Sequence, residues 1–224
     1  MYDRTDMVDK IMEHSDAALI VEHVRERLKN EQQRRREFYD RITEDDKAEF
    51  VNGEIVFHSP VVKMHNDATK YLLNLLMNYV DGHDLGFVGV EKILTRFTRN
   101  DYEPDICFFG NEKAALFQDD QLLFPIPDFV AEVLSKSSQK SIEHDTVTKF
   151  NDYEQHGVQE YWILDPHDQT VEQYLLENGR YRLVLKSSEG SVHCHAVPGF
   201  SIPIAAIFDK KVNRKVLLDF LPQE

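Results

Sequence analysis

The sequence predicts a mixed α/β fold, a central sheet flanked by helices with added β-hairpins and an N-terminal helix. Three observations predict it. Asn52-Gly53 and Asn178-Gly179 each separate two strand-like runs, and such a pair permits positive φ at both turn positions. Three short apolar runs, "GFVGVEKILTRF", "PDICFFG" and "DFVAEVLS", follow one another with strand composition. The segments before and after that series carry apolar residues at helical spacing.

Taken in order, residues 1 to about 40 are charged and helix-prone, with no Gly or Pro before Gly53. Ala18, Val21, Val24 and Leu28 make a narrow apolar stripe. This predicts one long helix, whole or broken, that packs on the domain or on a second copy of the chain. Residues 1–37 are read as this helical extension and 38–224 as the main domain. Arg34 to Arg36 could touch phosphate or form a solvated helix face. "KAEFVNGEIVFHSP" reads as a hairpin closed by Pro60. "VVKMHNDATKYLLNLLMNYV" reads as a helix, with His65, Thr69, Leu72, Leu76 and Tyr79 on one face. "SIEHDTVTKFNDYEQHG" is a helix ended by Gly157. "QEYWILDP" is a strand stopped by Pro166, and "TVEQYLLENGRYRLVLKS" is the second hairpin. A last strand pair and a short tail, "KKVNRKVLLDFLPQE", close the chain.

Apolar residues make up 42% of the 224 and charged residues 29%, which predicts a packed core. No apolar run is long enough to span a bilayer, and the N-terminus does not read as a secretory signal. Cys107 and Cys194 therefore read as free thiols in a reducing, cytoplasmic setting. "HCH", His193 to His195, would place both histidines on one strand face, a possible metal pair. The net charge of −14 disfavours constitutive nucleic-acid binding through a basic surface. It does not disfavour a carboxylate-rich metal site, where cations offset the charge locally.

The chemistry starts from carboxylates. Asp105 opens "DICFF" and Glu132 interrupts "FVAEVL". A buried charged carboxylate is costly unless paired. Two on neighbouring strands need a divalent cation or a lysine between them. Hard cations such as Mg²⁺ take oxygen ligands, and the Val133 carbonyl is a further candidate. Asp128 competes with Asp105, but it follows Pro125 and Pro127, where the chain is still entering its strand. In the helix over 141–156, Ile142, Asp145, Lys149 and Tyr153 share one face. Either that face delivers Lys149 to Glu132, or Asp145 and Lys149 form an ordinary surface pair. Lys136 is a rival lysine, in what reads as a loop or cap. Trp162 and Tyr161 read as core, and Glu54 as a hairpin residue or an accessory acid.

Together, "EPDICFFG", "PDFVAEVLSKSS", "HDTVTKFNDYEQHGVQEYWILDP" and "VEQYLL" resemble the PD-(D/E)XK nuclease superfamily, and more narrowly the Uma-two family of predicted restriction endonucleases. "KAEFVNGEIVFHSPVVKMHN" is similar to that family's opening: a Glu, a Gly-Glu hairpin, a Ser-Pro, then a His at the first helix. The resemblance spans roughly residues 38 to 205. It implies a restriction-endonuclease-like core and a metal-dependent phosphodiesterase, a restriction-like DNA endonuclease. On it, Asp105 matches the acid of the Pro-Asp motif and Glu132 the second acid, holding Mg²⁺ or Mn²⁺. The superfamily's usual lysine position holds Leu134, and the resemblance implies that Lys149 replaces that lysine from the helix. Tyr153 and Asp145 would orient Lys149, and His65 gains a functional reading. The alternative is a catalytically weak or inactive relative that binds or regulates. A third reading makes Asp105, Lys149 and Glu132 a structural ion network only. DNA is the expected substrate, and a homodimer is plausible because cutting both strands needs two sites.

Overall fold

The computed structural model describes residues 4–135 and 144–220. The N-terminal segment forms two helices, α1 (Arg4–Met12) and α2 (Ala17–Arg41). The expected apolar stripe does not pack on the domain: Val21, Val24 and Leu28 are exposed, and burial falls on Glu31, Arg35 and Phe38. The reason is electrostatic. Arg35 donates to both carboxylate oxygens of Asp101, at 2.5 and 2.7 Å, and to the carbonyls of Phe97, Thr98 and Asn100. The middle arginine of the triplet is thus a structural anchor, while Arg34 and Arg36 stay exposed.

The Asn-Gly hairpin is β1 (Ala48–Val51) and β2 (Glu54–Phe57), with φ of 51° at Asn52 and 85° at Gly53. Helix α3 (Lys63–Gly82) follows. The stretch expected as one strand divides into β3 (Gly86–Val90) and β4 (Leu94–Arg96). Glu91, at φ 54°, lies in the break between them, and the two strands enter different sheets. Then come β5 (Asp101–Tyr102), β6 (Ile106–Gly110), the short helix α4 (Asn111–Ala114), β7 (Leu123–Phe124) and β8 (Phe129–Val133). A π-helical turn, His144–Lys149, runs into α5 (Phe150–His156), which ends on Gly157 at φ 84°. The rest is β9 (Glu160–Asp165), β10 (Thr170–Glu177), β11 (Arg180–Ser187), β12 (Ser191–His193), β13 (Ser201–Pro203), α6 (Ala205–Phe208) and α7 (Lys210–Phe220).

Helix α7 replaces the expected tail. Asp209 accepts from the backbone N–H groups of Lys211 and Val212, as a helix cap does. Val212, Val216, Leu217 and Phe220 then pack on the core.

The described strands form a six-stranded sheet, β11-β10-β9-β8-β6-β3, a five-stranded sheet, β2-β1-β5-β4-β7, and the pair β12-β13. In the larger sheet β8 and β9 are parallel and the other neighbours antiparallel. Side chains alternate across it. Ile106, Phe108, Phe129, Ala131, Val133, Trp162 and Leu164 pack with α3 residues Ala68, Leu72, Leu75 and Leu76. Cys107, Phe109, Val130, Tyr161 and Ile163 pack on the other side with Val51, Phe97, Tyr102 and Tyr153. Glu132 belongs by parity to this second series, so it faces the smaller sheet and α5. This is the mixed α/β architecture expected, with a restriction-endonuclease-like core.

Candidate active site

The register of β6 and β8 places the two acids. Ile106 lies opposite Ala131, so one place further Asp105 lies opposite Glu132. The Val133 N–H donates to Asp105 Oδ2 at 2.8 Å. Within an extended strand the N–H and C=O of one residue point to the same edge, so the Val133 carbonyl is turned toward Asp105 as well.

Lys149, at the end of the π-helical turn, is only 2% exposed. Its Nζ lies 2.9 Å from Glu132 Oε1 and 3.0 Å from Glu49 Oε1. Tyr153, one helical turn later, donates to the same Glu132 oxygen at 2.8 Å. The shared helix face thus brings Lys149 and Tyr153 to Glu132. The side chain of Asp145, and Lys136, lie outside the described residues. The ammonium stands 5.8 Å from the centre of the Tyr102 ring. Tyr102 is itself held by Asp152 and Asn100.

Glu49 is a member of the cluster that was given no role from sequence. It sits on β1 of the smaller sheet, fully buried, and accepts the Glu103 N–H at 3.0 Å. Glu54, the accessory acid considered from sequence, is exposed on β2 and takes no part in the cluster. His65, in the first turn of α3, places Nε2 3.4 Å from Asp105 Oδ1. Asp128 is elsewhere: it accepts from the Gly110 N–H and from Lys113, at 2.8 and 2.7 Å, and braces the entry to β8. The Cys194 thiol points at the buried Glu160 carboxylate, 3.4 Å away, which also accepts the His195 N–H.

The acids differ in electrostatics. Burial pushes the Glu132 carboxyl up; Lys149 pulls it down, but Asp105 and Glu49 add to the upward push and the net shift is upward. Burial acts on Asp105 in the same sense, but His65, Lys149 and the Val133 N–H outweigh it and hold Asp105 below the usual range. Burial also lifts Glu103 to about 7, with Glu49 adding to the rise and His58 opposing it. A carboxyl with a folded-state pKa above its unfolded value binds more protons when native, so stability declines as pH rises through that window. In chelator, urea stability is expected to fall from pH 4.5 to about 7, and Glu103→Gln to flatten the fall. An unchanged slope in that variant would count against this assignment.

Among curated proteins none matches the chain. Among solved structures, a "putative nuclease belonging to DUF820" from Anabaena variabilis ATCC 29413 superposes with a TM-score of 0.63 at 18% identity. The likeness covers 80% of this chain and 96% of that one, and at this identity it carries the fold. The family model described as "Putative restriction endonuclease" matches residues 35–205, a span that holds Glu49, His65, Asp105, Glu132, Lys149 and Tyr153. By that match the chain belongs to the Uma2 family, with the PD-(D/E)XK-like nuclease fold.

Proposed function

We propose that this cluster is the divalent-metal site of a phosphodiester hydrolase, a restriction-like DNA endonuclease. One observation carries the reading: a buried lysine is seated between Glu132 and Glu49, while Asp105 accepts the N–H of Val133, the residue next to Glu132. Three carboxylates gather around one ammonium, with His65 beside Asp105 and His58 3.5 Å from Glu49 Oε1, and a divalent cation at Asp105 and Glu132 would offset the mutual repulsion of these acids.

The donor set fits Mg²⁺ or Mn²⁺. Among the described residues no three His, Cys, Asp or Glu side chains stand ready around one point. A magnesium-type ion needs only one or two carboxylates, completed by water and substrate phosphate. Asp105, Glu132 and the Val133 carbonyl would supply the protein's share. Such an ion, when bound, lowers the pKa of its water and offsets charge on the phosphate. The remaining roles fall to side chains. Lys149 orients the attacking water and stabilises charge developing on the phosphoryl oxygens. Tyr153 and Glu49 fix Lys149 and Glu132 in place, and His65 steadies Asp105.

The alternative, an inactive nuclease-fold module, draws on Leu134 at the usual lysine position and on the acidic charge. The seating of Lys149 against Glu132 weighs against it.

A calorimetric Mn²⁺ titration tests the proposal. Wild type is expected to bind, and Asp105→Asn and Glu132→Gln, which keep the side-chain volume and an acceptor for Val133, Lys149 and Tyr153, to lose binding while keeping their melting temperature in chelator. Variants that bind as wild type does, or that unfold, would support a purely structural network. Asp128→Asn is expected to leave plasmid nicking within about twofold and to cost about 1–2 kcal/mol of stability in urea. A nicking loss as large as that of Asp105→Asn would return Asp128 to the site.

A further inference from the structure

The free edge of the smaller sheet carries an inference that does not depend on catalysis. Among the described residues strand β2 ends that sheet and is exposed along its whole length. Its outer positions are apolar: Ile55 is 43% exposed, Val56 38% and Phe57 68%. The chain beyond adds Val61, Val62 and Met64, also exposed. An open, apolar strand edge is a template for another strand, and proteins normally blunt it with charge or proline. Here no proline interrupts residues 54–58, and Glu54, beside the turn, leaves Ile55, Val56 and Phe57 as an uncharged run.

The hairpin register says which backbone groups are free. Val51 and Glu54 flank the two-residue turn, and the His58 N–H donates to the Lys47 carbonyl at 3.1 Å. Inward-bonded residues alternate along a hairpin. Glu54, Val56 and His58 therefore bond toward β1. Ile55 and Phe57 turn their N–H and C=O groups outward.

We propose that two copies of the chain pair antiparallel through β2, about a two-fold axis at Val56. In this register Ile55 lies opposite Phe57 of the partner subunit, and the two exchange both backbone hydrogen bonds. The symmetry repeats the exchange, giving four bonds. Val56 meets Val56 of the partner subunit in a non-hydrogen-bonded pair. Glu54 falls opposite His58 of the partner subunit, so no like charges meet at the ends of the paired segment; within each copy His58 Nε2 lies 3.5 Å from Glu49 Oε1. Ile55, Val56 and Phe57 lie within the paired strand, and Val61, Val62 and Met64 continue the exposed apolar surface beyond it, so the contact falls in the small class of specific interfaces, below about 1,200 Å².

Because Val56 lies opposite Glu49 in β1, the two share a sheet face. The two-fold axis is perpendicular to the sheet, so both Glu49 side chains lie on the same face, roughly 14 Å apart across three strand spacings. Placing two hydrolytic sites over one duplex is a consequence that rests on the proposed function; the pairing does not.

Cross-linking tests the register. Val56→Cys is expected to give a disulfide dimer on mild oxidation, since opposed non-hydrogen-bonded positions lie about 4.5 Å apart at Cα. Ile55→Cys is expected to give none, because its own copy would lie about 8 Å away, beyond disulfide reach. Cys107 and Cys194 are buried and serve as internal negatives. In sedimentation velocity the wild type is expected to dimerise, and Ile55→Lys with Phe57→Lys to weaken self-association ~10-fold or more without a change in melting temperature. A wild type that stays monomeric at its highest soluble concentration would overturn the proposal. So would equal cross-linking of both cysteine variants, or an undisturbed dimer in the double lysine variant. Each outcome is independent of nicking activity.

Discussion

Lys149→Met is expected to lower metal-dependent plasmid nicking about 10²–10³-fold, the usual loss when one preorganised charge-stabilising group is removed. It is also expected to destabilise the metal-free protein at neutral pH by about 3–5 kcal/mol, because Glu132 and Glu49 lose the cation between them. The second effect has a pH signature. Glu132 already titrates above its ordinary value through burial and its acidic neighbours, and without Lys149 it rises further. The native variant then holds more protons than the unfolded chain, so stability recovers as pH falls toward the ordinary carboxylate range. Urea unfolding in chelator across that range measures it. A variant as stable as wild type at neutral pH would mean that Lys149 does not compensate the buried acids.

Glu49→Gln separates holding the metal from positioning the lysine. Its Oε1 meets Lys149 and the Glu103 N–H, while Asp105 and Glu132 face each other across β6 and β8. Nicking is expected to drop about 10–100-fold, the usual cost of losing a supporting partner. Mn²⁺ affinity is expected to stay within about threefold, since the oxygen ligands remain. The amide keeps an acceptor for Glu103, so the melting temperature should hold. Metal binding lost together with activity would instead make Glu49 a ligand. Unchanged nicking would leave it a filler of buried space.

These two residues differ in how well the sequence displays them. Lys149 was legible because a helix repeats its face every three to four residues, and Tyr153 fixes which face is buried. Asp105 and Glu132 were legible because each breaks a short apolar run. Glu49 also interrupts a short apolar run, Ala48 to Val51, but nothing in that run tells which distant group it meets. It sits in a four-residue strand of the second sheet, and its partner Lys149 is 100 residues on (149 − 49). Only the packing of one sheet against the other brings them together. Of the two readings of Glu54, hairpin residue or accessory acid, its place on the exposed β2 matches the first. In the hairpin Glu54 sits at the turn, while Glu49 lies opposite Val56 deeper along the ladder.

The N-terminal stripe is likewise not the face that docks on the domain. Val21, Val24 and Leu28 have helical spacing, but Arg35 docks the helix through Asp101 and leaves them open. A periodic apolar face records what a helix could bury and does not identify the residue that anchors it. The division of "GFVGVEKILTRF" into β3 and β4 depends on Glu91 adopting positive φ, a conformation its residue type does not advertise. Helix α7 was displayed by Asp209 and the repeat that follows, but its lysine-rich start reads as tail.

The central claim is that Asp105, Glu132 and Lys149 form a hydrolytic metal site. Conversion of supercoiled plasmid to open circles tests it most directly, with wild type and Asp105→Asn each assayed in Mn²⁺, in Mg²⁺ and in chelator. The account predicts nicking by wild type with either cation, none in chelator, and none by the folded variant under any condition. Wild-type protein that leaves supercoiled, linear and single-stranded DNA intact with both cations would contradict it, as would an Asp105→Asn variant that nicks at the wild-type rate.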